Sequence, residues 1–207
     1  MESQEILEGQ TREAFFRKAA VSLAGTSAIM AGLPSLASAA SLPKSDIEIL
    51  NFALTLEYLE AEFYAQAKDN IPSGPAREFA SLVAEHEAEH VKALKGLLRG
   101  KAVKKPKFDF GHAVTDLPTF LKTAFVLENT GVHAYLGQAG KLKTPALLGA
   151  AAIIVTVEAR HAAAIALVTD QARLKGPGGI TPQGGFDTPK SKAAILKAVK
   201  ATGFIKS

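Results

Sequence analysis

The sequence predicts an all-α chain: a four-helix bundle of two antiparallel hairpins joined by a long crossover, followed by a short C-terminal helix. Three observations lead there. Apolar residues make up 47% of the chain, with Ala and Leu dominant and Trp absent, a composition that favours helices over strands. Turn signals divide residues 45–173 into four long segments whose connections run short, long, short, and short connections join antiparallel neighbours. An internal repeat of 71 residues sets Glu and His at matching mid-helix positions.

Each element has a local reason. Ser45-Asp46-Ile47-Glu48 reads as a capping box that starts helix 1, which runs to about Lys68. The turn Asn70-Ile71-Pro72-Ser73-Gly74-Pro75 leads to helix 2, from about Ala76 to Arg99, stopped by Gly100. Residues 100–115 form a basic and aromatic crossover containing Phe108-Asp109-Phe110-Gly111. Helix 3 starts near Asp116, tolerates Pro118 in its first turn and ends at Gly140. Thr144-Pro145 opens helix 4, which continues to about Arg173 and is ended by Gly176-Pro177-Gly178-Gly179. Thr188-Pro189 opens a last short helix to about Ala201.

The repeat carries the chemistry. Glu57, Glu87 and His90 recur 71 residues later as Glu128, Glu158 and His161. The same shift lays Leu56 on Leu127, Tyr64 on Tyr135 and Ala88 on Ala159. One Glu-x-x-His is a weak signal, since Glu is common on helices; two in register with two further Glu are not. Mid-helix positions on one face enter the bundle core, where unpaired carboxylates cost several kcal/mol per ion. Two divalent cations would neutralise all four. Carboxylate oxygens with imidazole suit Fe, Mn or Zn, with no soft ligand to select copper. The register also disfavours competitors. Glu60 falls on Gly131, Glu85 on Thr156, His86 on Val157 and Glu89 on Arg160. Glu62 and His133 coincide, but each lies five residues beyond a proposed ligand, about 140° around the helix. His112 reads as a loop histidine and His133 as solvent-facing, while Tyr64 and Tyr135 read as core residues whose hydroxyls reach a ligand.

The segments Leu56-Glu57-Tyr58-Leu59-Glu60-Ala61-Glu62-Phe63-Tyr64, His86-Glu87-Ala88-Glu89-His90, Glu128-Asn129-Thr130-Gly131-Val132-His133-Ala134-Tyr135 and Glu158-Ala159-Arg160-His161 resemble the ferritin-like family that includes desiccation-related proteins. The resemblance spans roughly residues 45–171, with Phe186-Asp187-Thr188-Pro189 a weaker tail match. It implies a ferritin-like four-helix bundle in which Glu87 and Glu158 bridge two metals, Glu57 and Glu128 are terminal ligands, and His90 and His161 complete one metal each. The implied cofactor is two Fe ions, with Mn or Zn as alternatives. The implied partners are metal ions and O2 or peroxide, in a monomer or small oligomer. The expected function is Fe(II) oxidation in protection against oxidative or desiccation stress, hence a ferroxidase-like oxidoreductase if the protein turns over. A non-enzymatic metal-binding stress protein and a manganese-catalase-like peroxide disproportionation are the alternatives.

Composition excludes other classes. There is no Cys, so no disulfide, zinc-cysteine or iron–sulfur site. Met1 and Met30 are the only methionines, so a haem held by two Met side chains has no ligands in the bundle, and no haem is expected. A net charge of +4 is spread over loops and tail without an aromatic-interleaved patch, so no specific nucleic-acid partner is expected. Residues 19–40 carry no charge and end in Ala37-Ser38-Ala39, an export-signal pattern. The preceding Thr11-Arg12-Glu13-Ala14-Phe15-Phe16-Arg17-Lys18 is similar to a twin-arginine leader, with Glu13 where the second Arg would stand. The expected organisation is a signal peptide over 1–40, a bundle over 41–174 and a Gly/Pro-rich tail with a short helix over 175–207. The product would be exported, periplasmic or extracellular, with no stable membrane span after cleavage.

Overall fold

A computed structural model describes residues 42–169, 180–182 and 184–206 of the chain. The expected leader (1–40), the last turn of helix 4 beyond Thr169 and the Gly176-Pro177-Gly178-Gly179 stop lie outside the described residues. Four long helices make the bundle: α1 (Lys44–Asn70), α2 (Pro75–Leu98), α3 (Leu117–Ala139) and α4 (Pro145–Val168). A shorter α5 (Lys192–Thr202) follows. Packing is densest within the pairs α1–α2 and α3–α4, as two helical hairpins require.

Helix 1 corrects one expectation. It begins at Lys44 directly after Pro43 with no side-chain cap, so Ser45 is no capping box. Asp46 has a tertiary role instead. Its buried carboxylate accepts hydrogen bonds from the backbone N–H groups of Lys143 and Thr144, at 3.0 and 2.9 Å, and so ties the start of α1 to the start of α4. Burial alone would raise this carboxyl. The donors on Lys143 and Thr144, with Ser45, outweigh it and hold the group below the ordinary Asp value. Asp46→Ala is expected to destabilise the fold by about 2–3 kcal/mol, because two part-buried hydrogen bonds to a charged acceptor are lost. The wild-type advantage should be full above the ordinary Asp range and disappear as pH falls through the lowered value, which paired urea melts from pH 7 to pH 2 would measure.

The other boundaries follow their sequence signals closely. Asp116 caps α3 by accepting from Thr119 N–H at 3.0 Å. Thr144 precedes Pro145 in extended conformation but gives no side-chain cap. Ser191, rather than Thr188, caps α5, accepting from Ala194 N–H at 3.2 Å. The α2 helix ends one residue early and passes through a 3-10 turn over Arg99–Lys101, with Arg99 itself at φ 51.

The crossover and the tail hold each other. Asn51 on α1 donates to Lys101 C=O at 2.9 Å and accepts from Val103 N–H at 2.7 Å, fixing the crossover's first stretch. Two short strands, β1 (Lys107–Phe108) and β2 (Ile205–Lys206), then pair antiparallel. Nothing in the local sequence announces such a pair, since two-residue strands carry no periodicity. Phe110 and Phe204 meet edge-on at 5.2 Å, and Phe110 packs on Phe63 of α1 at 5.4 Å, so this end of the bundle closes with aromatic rings from crossover, tail and core together.

Gly137 on α3 is where the tail crosses. A Cβ there would lie 1.8 Å from Lys190 C=O, and Lys190 N–H donates to His133 C=O at 3.0 Å. His133 is accordingly half-buried beneath the tail, not solvent-facing as its register suggests. Gly137→Ala should lift the tail off α3. The expected result is faster proteolytic clipping near residues 184–191, with the bundle's helical circular dichroism retained.

Candidate metal centre

The middle of the bundle is polar. Glu57 on α1, Glu87 and His90 on α2, Glu128 on α3, and Glu158 and His161 on α4 are all buried, and the four carboxylates have no exposed surface at all. One layer away lies the aromatic group of Phe63, Tyr64, Phe79 and Phe120, and on the other side the aliphatic group of Leu50, Leu54, Leu94 and Leu147. Helical spacing explains the arrangement: Glu and His three apart on α2 and on α4 share one face, which the hairpin pairing turns inward.

The distances are compatible with donor atoms gathered around shared ions. His90 Nδ1 lies 3.2 Å from Glu57 Oε2, 3.1 Å from Glu87 Oε2 and 3.1 Å from Glu158 Oε1. His161 Nδ1 lies 3.1 Å from Glu87 Oε1 and 3.2 Å from Glu128 Oε2. Atoms bound about 2.1 Å from one ion are about 3.0–3.4 Å from each other at octahedral or tetrahedral angles. Two groups form in this way, Glu57/Glu87/His90/Glu158 and Glu87/Glu128/Glu158/His161. They share Glu87 and Glu158, which therefore stand between the two positions.

Hydrogen bonding inside the protein leaves the cluster unsatisfied. Among the described residues, Glu87 Oε1, both oxygens of Glu128 and of Glu158, and His161 Nδ1 are buried and make no well-aligned hydrogen bond, close as some of them lie to one another. A native interior rarely tolerates so many orphans in one place. Burial first, and the neighbouring carboxylates second, push the Glu87 and Glu158 carboxyls well above the usual range. Burial would lower His90, but the Glu57 charge and the Glu158, Glu57 and Glu87 carboxylates that accept from its ring overcome it and raise the imidazole strongly. Without cations, protons alone supply the countercharge. Cations would supply it and use the orphaned lone pairs, so the donor set fits two metal ions, and the buried cluster is compatible with a di-metal site.

This geometry and fold agree with the family comparison: a ferritin-like domain model matches residues 45–171. The chain belongs to the ferritin-like domain family. Among curated proteins none matches it.

Within this ferritin-like bundle, the side chains behind the cluster are as informative as the cluster itself. The hydroxyl of Tyr135 on α3 donates to Glu57 Oε1, across to α1. Its repeat mate Tyr64 on α1 is fully buried, and its hydroxyl is raised first by that burial and then by Glu128, so the two tyrosines are set in crossed fashion against the Glu of the other helix. The expectation that these hydroxyls reach a proposed ligand is met by Tyr135, while among the described residues the Tyr64 hydroxyl makes no hydrogen bond.

Two residues that the register disfavours stand against the cluster. His86, half-buried, brings its Nδ1 to 2.8 Å from His161 Nε2 and stacks on that ring at 5.1 Å. It backs His161 in the way that partners of ligating imidazoles fix ring orientation. Glu60 is 3% exposed and feels Glu158, Glu128, Glu87 and Glu57 after burial itself, all raising its carboxyl. A signal was available: Glu60 follows Glu57 by three residues, the same spacing that joins Glu87 to His90, and the repeat argument overrode it. Glu85 and Glu89 are exposed on α2, Glu62 is occupied by Lys105 and Gln66, and His112 is exposed in the crossover.

Proposed function

We propose that this is an exported ferritin-like di-metal protein, di-iron in its working form, that oxidises Fe(II) with O2 or peroxide and thereby limits oxidative or desiccation damage. The observation that carries the reading is the pair of four-residue groups sharing Glu87 and Glu158, with four orphaned carboxylate oxygens and one orphaned imidazole nitrogen among Glu128, Glu158 and His161. Glu57, Glu87 and His90 with Glu158 would hold one ion, and Glu128 and His161 with the shared pair the other. Two iron ions there would supply one electron each. The electrons balance as two Fe(II) giving two Fe(III) while O2 and two protons become H2O2, or H2O2 and two protons become two waters.

The chain's own residues suit a small oxidant. Apolar layers above and below the cluster exclude bulk water. Beside Tyr135 lies an apolar cavity of about 30 Å3, lined by Leu50, Phe52, Leu56, Leu94 and Leu147. That is room for one or two molecules the size of water, and its walls favour O2 over any sizeable organic substrate. Tyr135 holds Glu57, and His86 holds His161, in fixed orientations.

The test is metal analysis of the protein purified from its native host, followed by anaerobic loading with Fe(II) and exposure to O2 or peroxide. Two irons per chain with rapid oxidation is the expected result. Two manganese ions with oxygen evolution from peroxide would replace it by a catalase-like function, and tightly held metal without turnover by a storage or structural one. N-terminal sequencing of the same sample should begin near residue 40; an intact Met1 would remove the export element.

A further inference from the structure

The fold gathers charge that the sequence spreads. The crossover over 99–110 and the tail over 184–206 carry ten basic residues against two acidic ones. Residues 42–98 and 111–169 carry nine basic against thirteen acidic, so the positive charge sits on the two segments and not on the bundle. Both segments lie along α1. Asn51 holds the crossover at Lys101 and Val103, and the Lys192 ammonium lies 5.6 Å over the Phe52 ring at the start of α5. Val199 of α5 then shares a recess with Leu59 of α1 and Leu127 of α3. The β1–β2 pair joins the two segments at their far ends. Two stretches remote in sequence thus make one basic face on the α1–α3 side.

The protein neutralises little of this charge itself. Lys105 pairs with Glu62, and Lys206 lies 3.6 Å from Asp109. Among the described residues no acidic side chain pairs with Lys101, Lys104, Lys107, Lys197 or Lys200, all of them exposed. Lys107 and Lys206 even stand directly opposite each other across the strand pair, where like charges are destabilising. Aliphatic side chains stand among the lysines. Val103, Leu196 and Ile205 each neighbour a lysine in sequence and are 39%, 43% and 38% exposed, and Phe186 in the same tail is 86% exposed. Lysines alone would make a solvated surface; lysines interleaved with exposed apolar side chains suit the boundary between lipid headgroups and acyl chains. A nucleic-acid face gains more from guanidinium forks, and Arg99 is the only arginine in the two segments.

We propose that the crossover and α5 together form a docking face for an anionic lipid surface, on which the protein lies without spanning it. The unpaired lysines meet lipid phosphates, and Leu196, Ile205 and Val103 dip into the headgroup layer beside them. The α1–α3 side then faces the membrane, while α2 and α4 face away from it. Attraction of this kind is electrostatic first and is screened within about 8 Å at physiological salt. The inference stands apart from the metal centre and uses none of its residues.

The test is co-sedimentation of the protein purified from its native host with vesicles of phosphatidylcholine, either alone or with about one part in three of phosphatidylglycerol. Binding to the anionic vesicles only, lost at about 0.5 M salt, is the expected result. Each lysine near an anionic bilayer contributes about fivefold in binding, so Lys197→Gln with Lys200→Gln should weaken it about thirtyfold. Both residues are exposed on α5, and unchanged helical circular dichroism shows that the variant is folded. Lys92→Gln with Arg160→Gln removes the same charge from α2 and α4, across the bundle, and should leave binding nearly as it was. Leu196→Ser, which removes no charge, should also weaken binding to vesicles. Equal binding to neutral and anionic vesicles would overturn the proposal, as would equal losses in the two double variants. Equal affinity for a DNA duplex, with Leu196→Ser binding vesicles as the wild type does, would assign the face to polyanions in general and overturn the lipid reading.

Discussion

Glu87→Ala and Glu158→Ala are each expected to abolish tight binding of both metal ions, because each carboxylate belongs to both four-residue groups. Loss of either shared carboxylate would remove a candidate ligand from each of the two positions and leave less negative charge between two cations. His90→Ala and His161→Ala should differ in kind. Each imidazole belongs to one group only, so each variant should retain one ion and lose affinity for the other. Glu89→Ala, on the exposed face of α2, should bind two ions as the wild type does. Isothermal titration with Zn(II) or Mn(II), with metal counted after desalting, reads all five variants. Two tightly bound ions per chain in either bridging variant would end the di-metal assignment.

The second large effect concerns stability. Metal removal should lower the unfolding midpoint by about 20 °C. Each ion present at a thousand times its dissociation constant stabilises the folded state by about 4 kcal/mol, so two contribute about 8 kcal/mol. One kcal/mol moves the midpoint of a domain this size by about 2–4 °C. The effect is large because the folded metal-free protein keeps Glu57, Glu87, Glu128 and Glu158 in a fully buried cluster whose oxygens metal ions would engage and protons only partly satisfy. The same reasoning gives a second sign. Replacing both Glu87 and Glu158 by Gln should raise the midpoint of the metal-free protein while cancelling the gain from added metal. Scanning calorimetry with and without a chelator measures both, and an equal midpoint in the two conditions would show that the cluster is not where metal stabilises the fold.

The helical order of the chain was legible because its signals are local. Pro145 after Thr144, Asp116 three residues before Thr119 and the Gly-Pro turn after Asn70 each act on their own backbone, so they predict where α4, α3 and α2 begin. Ser45 was misleading for the same reason that Asp46 matters. The box competes with a tertiary alternative, and the Asp46 carboxylate satisfies two N–H groups on another helix that no local window contains. The β1–β2 pair and the tail's crossing at Gly137 depend on segments about 100 and about 50 residues apart in sequence, and neither leaves a periodic trace.

The site divides along the same line. By itself the sequence determined that six side chains, Glu57, Glu87, His90, Glu128, Glu158 and His161, would meet, because a duplicated helical hairpin must place duplicated positions around one axis. A repeat, however, reports only what the two halves share. Glu60 and His86 are departures from it, and their value depends on what faces them across the bundle: a glycine that leaves space for two carboxylates, and an imidazole 2.8 Å away on another helix. Symmetry can be read along one dimension because it is a relation between positions in the chain. Asymmetry of a packed site is a relation between neighbours in space, and only the close approach of α1 to α3 and of α2 to α4 decides it.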